Sequence, residues 1–183
     1  MATRQDTFCM TNNIDEEVKQ QAVGAVNHTT EMEGVMANYT LRWDQNLRGA
    51  KRFVVLAAFH NKAVLDKNTG LVWEQAPDVS ERVWAPAIFE SVNKNVGGTA
   101  GWRLPSVVEL KSLLDHTLPP PFLPDGIFTG VQPFAYWSAT TWSNDPTRAW
   151  IVNFSDGLVS AMGKNDVPIH FWCVRGGMNA DQY

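Results

Sequence analysis

The stretch YWSATTWSNDPTRAWIVNFSDGLVSAM, residues 136–162, constrains the fold more than any other part of this chain. In RAWIVNF the side chains of a β-strand would alternate between two faces, with Trp150, Val152 and Phe154 on one and Ile151 and Asn153 on the other. Asp156 and Gly157 stand between two such runs, where an Asp-Gly pair favours a tight hairpin turn. We therefore predict three strands, joined by a polar loop and then by the hairpin. Aromatic residues in such strands are more often core than surface, so Trp137 and Trp150 are expected to be mostly buried.

Two helices are predicted ahead of this region. SERVWAPAIFESVNKNVGG is typical of a helix that begins near Ala85, since Pro86 is tolerated only in the first turn, and that ends at the glycine pair. In GWRLPSVVELKSLLDH, Ser106 and Glu109 have the spacing of a capping box. The predicted buried stripe of this second helix consists of Val107, Leu110, Leu113 and Leu114.

The remaining segments complete an α+β pattern. RFVVLAAF, AVLD and LVWE are short strand-like runs, and DKNTG between the last two has the chemistry of a hairpin turn rather than of a calcium loop. HFWCVR is predicted as the final strand, and the proline-rich segment TLPPPFLPDGIFTGVQPF as a long loop packed over the core. Strands, two helices and then more strands predict one α+β domain over residues 44–183.

Residues 1–43 differ from this pattern and are interpreted as an N-terminal helical extension. Asn13 and Glu16 open the run NNIDEEVKQQAVGAVN in the positions of a capping box. Its apolar residues recur at helical spacing, at Ile14, Val18, Ala22, Ala25 and Val26. The stripe must cover either the main domain or another copy of itself, so the extension is a candidate for homo-oligomerisation.

Composition excludes two classes of partner. The 183-residue chain has a net charge of −4 and a pI near 5.5, and its lysines and arginines do not cluster. A nucleic-acid-binding domain needs a basic face, so no nucleic-acid partner is predicted. No apolar run is long enough to cross a bilayer, and the start MATRQDTFCMTNN lacks the apolar segment of a signal peptide. The compartment stays open at this point.

Little in the sequence supports catalysis, a cofactor or a metal site. There is no Gly-x-Ser-x-Gly elbow and no phosphate loop, and the histidines share no ligand spacing. Two cysteines are too few for a disulfide framework. Cys173 lies in an apolar run and is interpreted as a buried, inert thiol, while a bridge between Cys9 and Cys173 is a less favoured alternative. We therefore predict a protein that is not an enzyme and that holds no cofactor and no metal.

The order of five motifs resembles the Lcl C-terminal domain family. TGLVWEQ, GWRLPSVVELKSLLD, YWSATT, AWIVNFSDGLVS and CVRGG follow one another between about Arg52 and Gly177. The resemblance implies a C-type lectin-like fold, with two helices packed on a twisted antiparallel sheet, long surface loops, and paired first and last strands. It also implies a bacterial or phage origin and a place at the cell surface or in secretion, since this domain ends collagen-like adhesins. Arg103 of GWRLP is expected to tie loops together rather than to bind a ligand.

Domains related to this family include formylglycine-generating enzymes, phage receptor-binding proteins and the variable proteins of diversity-generating retroelements. In the variable proteins the mutable positions lie in the last part of the chain, which here corresponds to residues 136–175. Family members often carry a cysteine in the helix before GWRLP, which could pair with the cysteine of the CVR motif. The corresponding helix here, APAIFESVNKN, has none, so the resemblance leaves Cys173 without its usual partner.

The candidate ligand-binding residues lie in two polar loops, at residues 141–148 and 164–170. Trp142 is the hardest to explain as turn chemistry, because an indole on a polar loop must either pack or bind something. Asn144 and Asp145 precede a proline and serve turn geometry equally well, and Arg148 either completes the surface or pairs with Asp145. The predicted set is Thr141, Trp142, Ser143, Asn144, Asp145 and Arg148 in the first loop, and Lys164, Asn165, Asp166 and His170 in the second.

Rigid aromatic groups beside adaptable hydrogen-bonding groups are the composition of a recognition surface. We therefore predict a non-catalytic ligand-binding protein that presents these loops to a protein or glycan partner. A variable protein of a diversity-generating retroelement is the more specific form. The alternatives are a glycan-binding surface adhesin and, disfavoured by the cysteine count, an oxidoreductase of the formylglycine-generating type.

Overall fold

The computed structural model describes residues 47–177. The predicted extension over residues 1–43, its proposed role in oligomerisation and Cys9 lie outside the described residues. Two short 3-10 turns, Gly49–Lys51 and Ala57–Phe59, accompany the regular elements. The described strands are β1 (Phe53–Val55), β2 (Ala63–Asp66), β3 (Val72–Glu74), β4 (Glu81–Arg82), β5 (Ala135–Thr141), β6 (Arg148–Asn153), β7 (Val159–Gly163), β8 (Ile169–His170) and β9 (Val174–Arg175), and the described helices are α1 (Trp84–Val92) and α2 (Val107–Ser112). Two sheets with two short helices form an α+β fold, as predicted.

The first sheet has the strand order β1-β2-β3-β9, with every pair antiparallel. DKNTG forms the predicted hairpin between β2 and β3, where the Asp66 N–H donates to the Leu71 carbonyl at 2.8 Å. The buried Asp66 carboxylate accepts hydrogen bonds from Arg52 and Thr69, so this residue holds the turn together. The resemblance implied that the first and last strands pair with each other. In the described structure the last strand, β9, pairs with β3 and not with β1.

The second sheet has the order β4-β8-β5-β6-β7, and only β5 and β8 pair in parallel. β6 and β7 form the predicted hairpin, in which the Asn153 N–H donates to the Leu158 carbonyl at 2.9 Å across the Asp-Gly turn. The pairing of β5 with β6 shifts register between Trp137 and Thr141, immediately before the polar loop. The loop joins the end of β5 to the start of β6, so it lies at the opposite end of β6 from the Asp-Gly turn.

The prediction of one strand over HFWCVR is wrong. β8 ends at His170 and β9 begins at Val174, so the chain leaves the second sheet and joins the first within this run. Phe171, Trp172 and Cys173 between them are at most 1% exposed. Because the segment passes from one sheet to the other through the interior, none of its side chains faces solvent and no alternation arises.

Both helices follow their start signals, but the first does not follow its predicted end. It ends at Val92, five positions before the glycine pair, because Val96 and Thr99 pair with each other in a tight turn. α1 begins at Trp84, one residue before the predicted start. The capping box of α2 is confirmed: the Glu109 N–H donates to Ser106 Oγ at 3.2 Å, and the Ser106 N–H donates to Glu109 Oε2 at 2.8 Å. Leu110 and Leu113 are fully buried, as the predicted stripe requires. α2 thereby presents its apolar face to the core while its start stays tied to the GWRLP segment.

The proline-rich loop packs over the core, as predicted. Leu123 belongs to the core cluster, and Phe128 packs edge-on against Phe53 and Trp172 with ring centroids 5.1 Å from each. The prediction for the β5–β6 tryptophans holds only for Trp137, which is fully buried. Trp150 is half-buried, because its indole faces the loop at the end of the sheet rather than the core.

Candidate functional site

The loop between β5 and β6 is held by its own backbone. The Trp142 N–H donates to the Arg148 carbonyl at 3.0 Å, and the Arg148 N–H donates to the Asp145 carbonyl at 3.1 Å. The Asp145 carboxylate accepts two hydrogen bonds from Thr147, at 2.6 Å from the hydroxyl and 2.9 Å from the N–H. These bonds lower the pKa of Asp145. Asp145 therefore shapes the turn, which is the geometric role that its position before Pro146 suggested.

Trp142 both packs and remains partly exposed. Its ring lies 6.3 Å from that of Trp150 in an edge-to-face arrangement, and the Arg148 guanidinium carbon lies 5.2 Å from its centroid. Such cation–π contacts fix an indole and leave its remaining surface free for contact. Arg148 does not pair with Asp145; its Nη2 donates instead to the Ala161 carbonyl at 2.6 Å. The indole is therefore a half-buried, oriented aromatic group on the loop.

Lys164 joins the two predicted loops. Its Nζ donates to Thr141 Oγ1 and to the Pro146 carbonyl, both at 2.9 Å. The same ammonium lies 3.9 Å from the ring centroid of Trp84, at the start of α1. The Trp84 N–H in turn donates to the Lys164 carbonyl at 3.0 Å. The loops therefore form one continuous surface with the N-terminus of α1, and Trp84 is a member that the sequence reasoning missed.

The exposed polar groups lie at the tips of the two loops. Ser143, Asn144, Asn165 and Asp166 are all exposed. Ser143 and Asn144 contact each other weakly at 3.4 Å, so both retain hydrogen-bonding capacity. We use the name loop surface for the set Trp84, Thr141, Trp142, Ser143, Asn144, Asp145, Arg148, Lys164, Asn165 and Asp166. Two cations and two carboxylates give it no net charge.

His170 does not belong to this surface, so its predicted place in the loop is wrong. It lies in β8 with its side chain 8% exposed, between the rings of Phe134 and Tyr136 at 5.7 and 5.4 Å. Its Nε2 is 3.5 Å from a Glu81 carboxylate oxygen. Pairing of β8 with both β4 and β5 encloses the imidazole. The exposed aromatic group here is Phe134, which the sequence reasoning did not single out.

Arg103 has the structural role predicted for it. Its guanidinium donates two hydrogen bonds to Glu109, at 2.8 and 2.6 Å, and a third to the Gly176 carbonyl at 2.7 Å. Burial alone raises the pKa of the Glu109 carboxyl, but hydrogen bonds from Arg103 and Ser106 outweigh it and leave the pKa below its ordinary value. The fork therefore ties α2 to the chain segment after β9.

Cys173 lies in a buried polar cluster. Its Sγ is 3.5 Å from the Ser91 hydroxyl, and burial, followed by the charge of Glu74, raises the pKa of the thiol to about 12. Glu74 forms an ion pair with Lys94 at 2.8 Å and has its own pKa raised by burial. Glu74 and Lys94 line a cavity of about 260 Å³. A thiol with so high a pKa is a poor nucleophile at neutral pH.

The thiol of Cys173 is expected to resist alkylation in the folded protein. In a Cys9→Ser background, iodoacetamide at pH 8 should modify it at least about 100-fold more slowly than in the urea-unfolded chain, because little thiolate forms and access is blocked. Intact-mass spectrometry over time gives both rates. Native labelling at the unfolded rate would contradict the buried, inert thiol.

Within residues 47–177 no group of three or more His, Cys, Asp and Glu side chains is arranged to hold a metal ion. Over the same range no helix is long and apolar enough to cross a membrane.

The fold and the site define an α+β domain whose sheet ends display a mixed aromatic and polar loop surface. The family model of the Lcl C-terminal domain matches residues 62–175, which is more than half of the chain. The protein therefore belongs to the Lcl C-terminal domain family. No curated protein matched the chain in a sequence comparison.

Proposed function

We propose that this protein is a non-catalytic ligand-binding protein with a C-type lectin-like fold, and that its loop surface binds a protein or glycan partner. The observation that carries the proposal is the bracing of Trp142, between Trp150 and Arg148, beside exposed polar groups. A side chain fixed before binding loses little conformational freedom on binding, so affinity is gained. Aromatic anchors ringed by polar groups are the usual composition of binding hot spots.

A diversified variable protein is the more specific form of this proposal. The exposed positions Ser143, Asn144, Asn165 and Asp166 sit on loops that the two sheets and Lys164 hold in place. Substitution at such positions changes the ligand without disturbing the core. Sibling copies should differ mainly at these four positions, and a reverse transcriptase and template repeat should lie beside the gene; differences spread evenly over the chain would count against diversification.

A glycan-binding surface adhesin is the alternative within binding, supported by the partly exposed indole of Trp142 as a stacking platform for sugars. The uncharged balance of the loop surface argues against sulfated glycans, which favour basic patches. An oxidoreductase of the formylglycine-generating type is disfavoured, since Cys173 is buried and its thiol has a pKa of about 12.

Truncation of Trp142 is expected to abolish most binding. The wild-type protein is first screened on a glycan array and against a library of displayed linear peptides, and affinities for the hits are measured by biolayer interferometry. Trp142→Ala should weaken binding by about 30-fold or more, the effect of losing a hot-spot aromatic.

The matched control is Leu158→Ala, which removes an exposed apolar side chain beside the Asp-Gly turn, at the opposite end of β6 from the loop. It should leave affinity within about threefold. Melting temperatures for both variants separate lost contact from lost folding. Equal affinity for wild type and Trp142→Ala would refute the loop surface as the binding site.

A further inference from the structure

β7 is an open edge of the second sheet. It pairs with β6 on one side, and among residues 47–177 no strand pairs with its other side. The remaining sheet edges over that range are shorter, since β7 has five residues while β1 has three and β4 and β9 have two each. β7 is therefore the longest exposed edge of the described structure.

The pairing register shows which backbone groups of β7 face outward. The Lys164 N–H donates to the Thr147 carbonyl at one end of the hairpin, and the Leu158 carbonyl accepts from Asn153 at the other. Hydrogen-bonded pairs alternate along an antiparallel ladder, so Ser160 and Met162 bond to β6. The outward-facing N–H and C=O groups are those of Val159, Ala161 and Gly163.

Some of these outward groups are bonded and others are not. The Ala161 carbonyl accepts from the Arg148 side chain, and the Gly163 carbonyl accepts from the Asp166 N–H. Within the described part of the chain, no protein group bonds to the N–H groups of Val159 and Ala161 or to the Val159 carbonyl. A second strand laid along β7 supplies the complementary donors and acceptors.

The residues of β7 themselves lack the usual protection of an edge strand. Its sequence VSAMG contains no charged residue and no proline, the devices that commonly prevent edge pairing. By contrast, the opposite edge of the same sheet, β4, consists of Glu81 and Arg82. Among residues 47–177, Arg148 is the one charged residue whose side chain hydrogen-bonds to the β7 backbone, at the Ala161 carbonyl.

The position of this edge relative to the loop surface matters for specificity. Ala161 lies opposite Trp150 in the ladder, and Trp150 contacts Trp142. Cross-strand neighbours share one face of a sheet, so the small Ala161 leaves the Trp150 indole within reach of a strand added beside β7. An apolar side chain on that added strand would contact Ala161 and the Trp150–Trp142 pair.

We propose that β7 binds an extended segment of the partner protein, which adds to the second sheet as a sixth strand beside the loop surface. The inference rests on the proposed function and specifies its partner as a polypeptide rather than a glycan. Backbone hydrogen bonds to Val159 and Ala161 supply affinity that is independent of sequence, and the aromatic pair selects an apolar side chain. The strand displaces the Arg148 bond to the Ala161 carbonyl.

The test compares two substitutions at Ala161, using linear peptides selected from a displayed library on the wild-type protein. Ala161→Pro removes the outward N–H without touching the bonds to β6 and should weaken peptide binding by about tenfold or more. Ala161→Ser keeps the N–H and a small side chain opposite Trp150, and should bind within about threefold of wild type. Melting temperatures confirm that both variants fold.

Amide hydrogen exchange in the wild-type protein gives a readout that needs no variant. The amides of Val159 and Ala161 should exchange fast in the free protein and become protected when a selected peptide binds, while those of Ser160 and Met162 should be protected in both states. Unchanged exchange at Val159 and Ala161 overturns the proposal even if Ala161→Pro fails to fold.

The outcomes separate this inference from the proposed function. Peptide binding that falls with Trp142→Ala but not with Ala161→Pro overturns strand addition and leaves the loop surface intact. Binding of glycans alone, with no peptide selected, also overturns strand addition. A dimer detected by light scattering that Ala161→Pro abolishes identifies a second copy of this chain as the occupant, which overturns a separate partner segment.

Discussion

Replacing Arg103 with methionine is expected to lower the free energy of unfolding by about 2 to 3 kcal/mol at pH 7. The substitution keeps an unbranched apolar stem but removes both bonds to Glu109, which is left with its side chain 8% exposed and its charge unpaired. Removing one member of a fully buried ion pair costs about 3 to 5 kcal/mol, and the smaller value follows because the Arg103 side chain is 38% exposed. Urea unfolding followed by tryptophan fluorescence measures the difference.

Arg82→Met is the matched control. Arg82 and Glu90 form an ion pair whose side chains are 39% and 37% exposed, so the carboxylate that the substitution leaves unpaired is hydrated, unlike that of Glu109. Exposed pairs contribute about 1 kcal/mol or less, and Arg82→Met should therefore shift the midpoint only slightly. Equal losses for the two variants would mean that the Arg103 fork has no special role in joining α2 to the end of the chain.

The cost of losing Arg103 should depend on pH. The pKa of Glu109 is lowered in the folded protein, so its ionisation contributes stability above the unfolded pKa, about 4.3, that is lost as pH falls through the folded value. In Arg103→Met the unfavourable burial of the Glu109 charge is no longer offset by Arg103. Protonation of Glu109 at low pH removes that unpaired charge and its cost. The gap between wild type and variant should therefore narrow below about pH 5. A gap of constant size from pH 7 to pH 3 would show that lost packing, not charge, causes it.

The sequence predicted those parts of the fold that local chemistry determines. The Ser106–Glu109 capping box, the Asp-Gly hairpin and the DKNTG hairpin each depend on residues within a few positions of one another. Their hydrogen bonds join residues that are close in sequence, so motif rules transfer well.

The errors arise where distant segments decide the outcome. HFWCVR has an ordinary strand composition, and nothing within it shows that β8 and β9 belong to different sheets. His170 follows a polar loop in sequence, but its neighbours Phe134 and Tyr136 come from more than thirty positions away and enclose it. Such burial depends on strand order, which a single sequence does not encode locally.

The loop surface was predicted only in part, because one of its members comes from a distant segment of the chain. Trp142 and its polar neighbours are adjacent in sequence, whereas Trp84 joins them through two contacts with Lys164, the ammonium on its ring and a backbone hydrogen bond. The usable signal was an indole at the start of α1, at a position that the sequence did not assign to the core. The contact itself spans 80 positions of sequence and needs the three-dimensional fold.

Replacing Ser91 with cysteine is expected to create a disulfide with Cys173 and to raise the free energy of unfolding by up to about 4 kcal/mol. Ser91 lies on α1, the helix in which the resemblance to relatives placed a partner cysteine, and its hydroxyl is 3.5 Å from Cys173 Sγ. Both side chains are fully buried, and the loop that the bridge closes spans 82 positions, long enough to restrict the unfolded chain strongly.

The bridge has to be formed during refolding in a glutathione redox buffer, because the native Cys173 thiol, with a pKa of about 12, reacts slowly. A Cys9→Ser background leaves a single possible pairing. Thermal unfolding of the oxidised variant should shift upward by about 10 °C relative to the same protein in dithiothreitol. Ser91→Ala is the control, since it removes the hydroxyl without adding a thiol and should respond to neither condition. Intact-mass spectrometry after oxidative refolding counts the free thiols. If two remain, α1 and the segment before β9 do not approach as closely as the contact between Ser91 and Cys173 indicates.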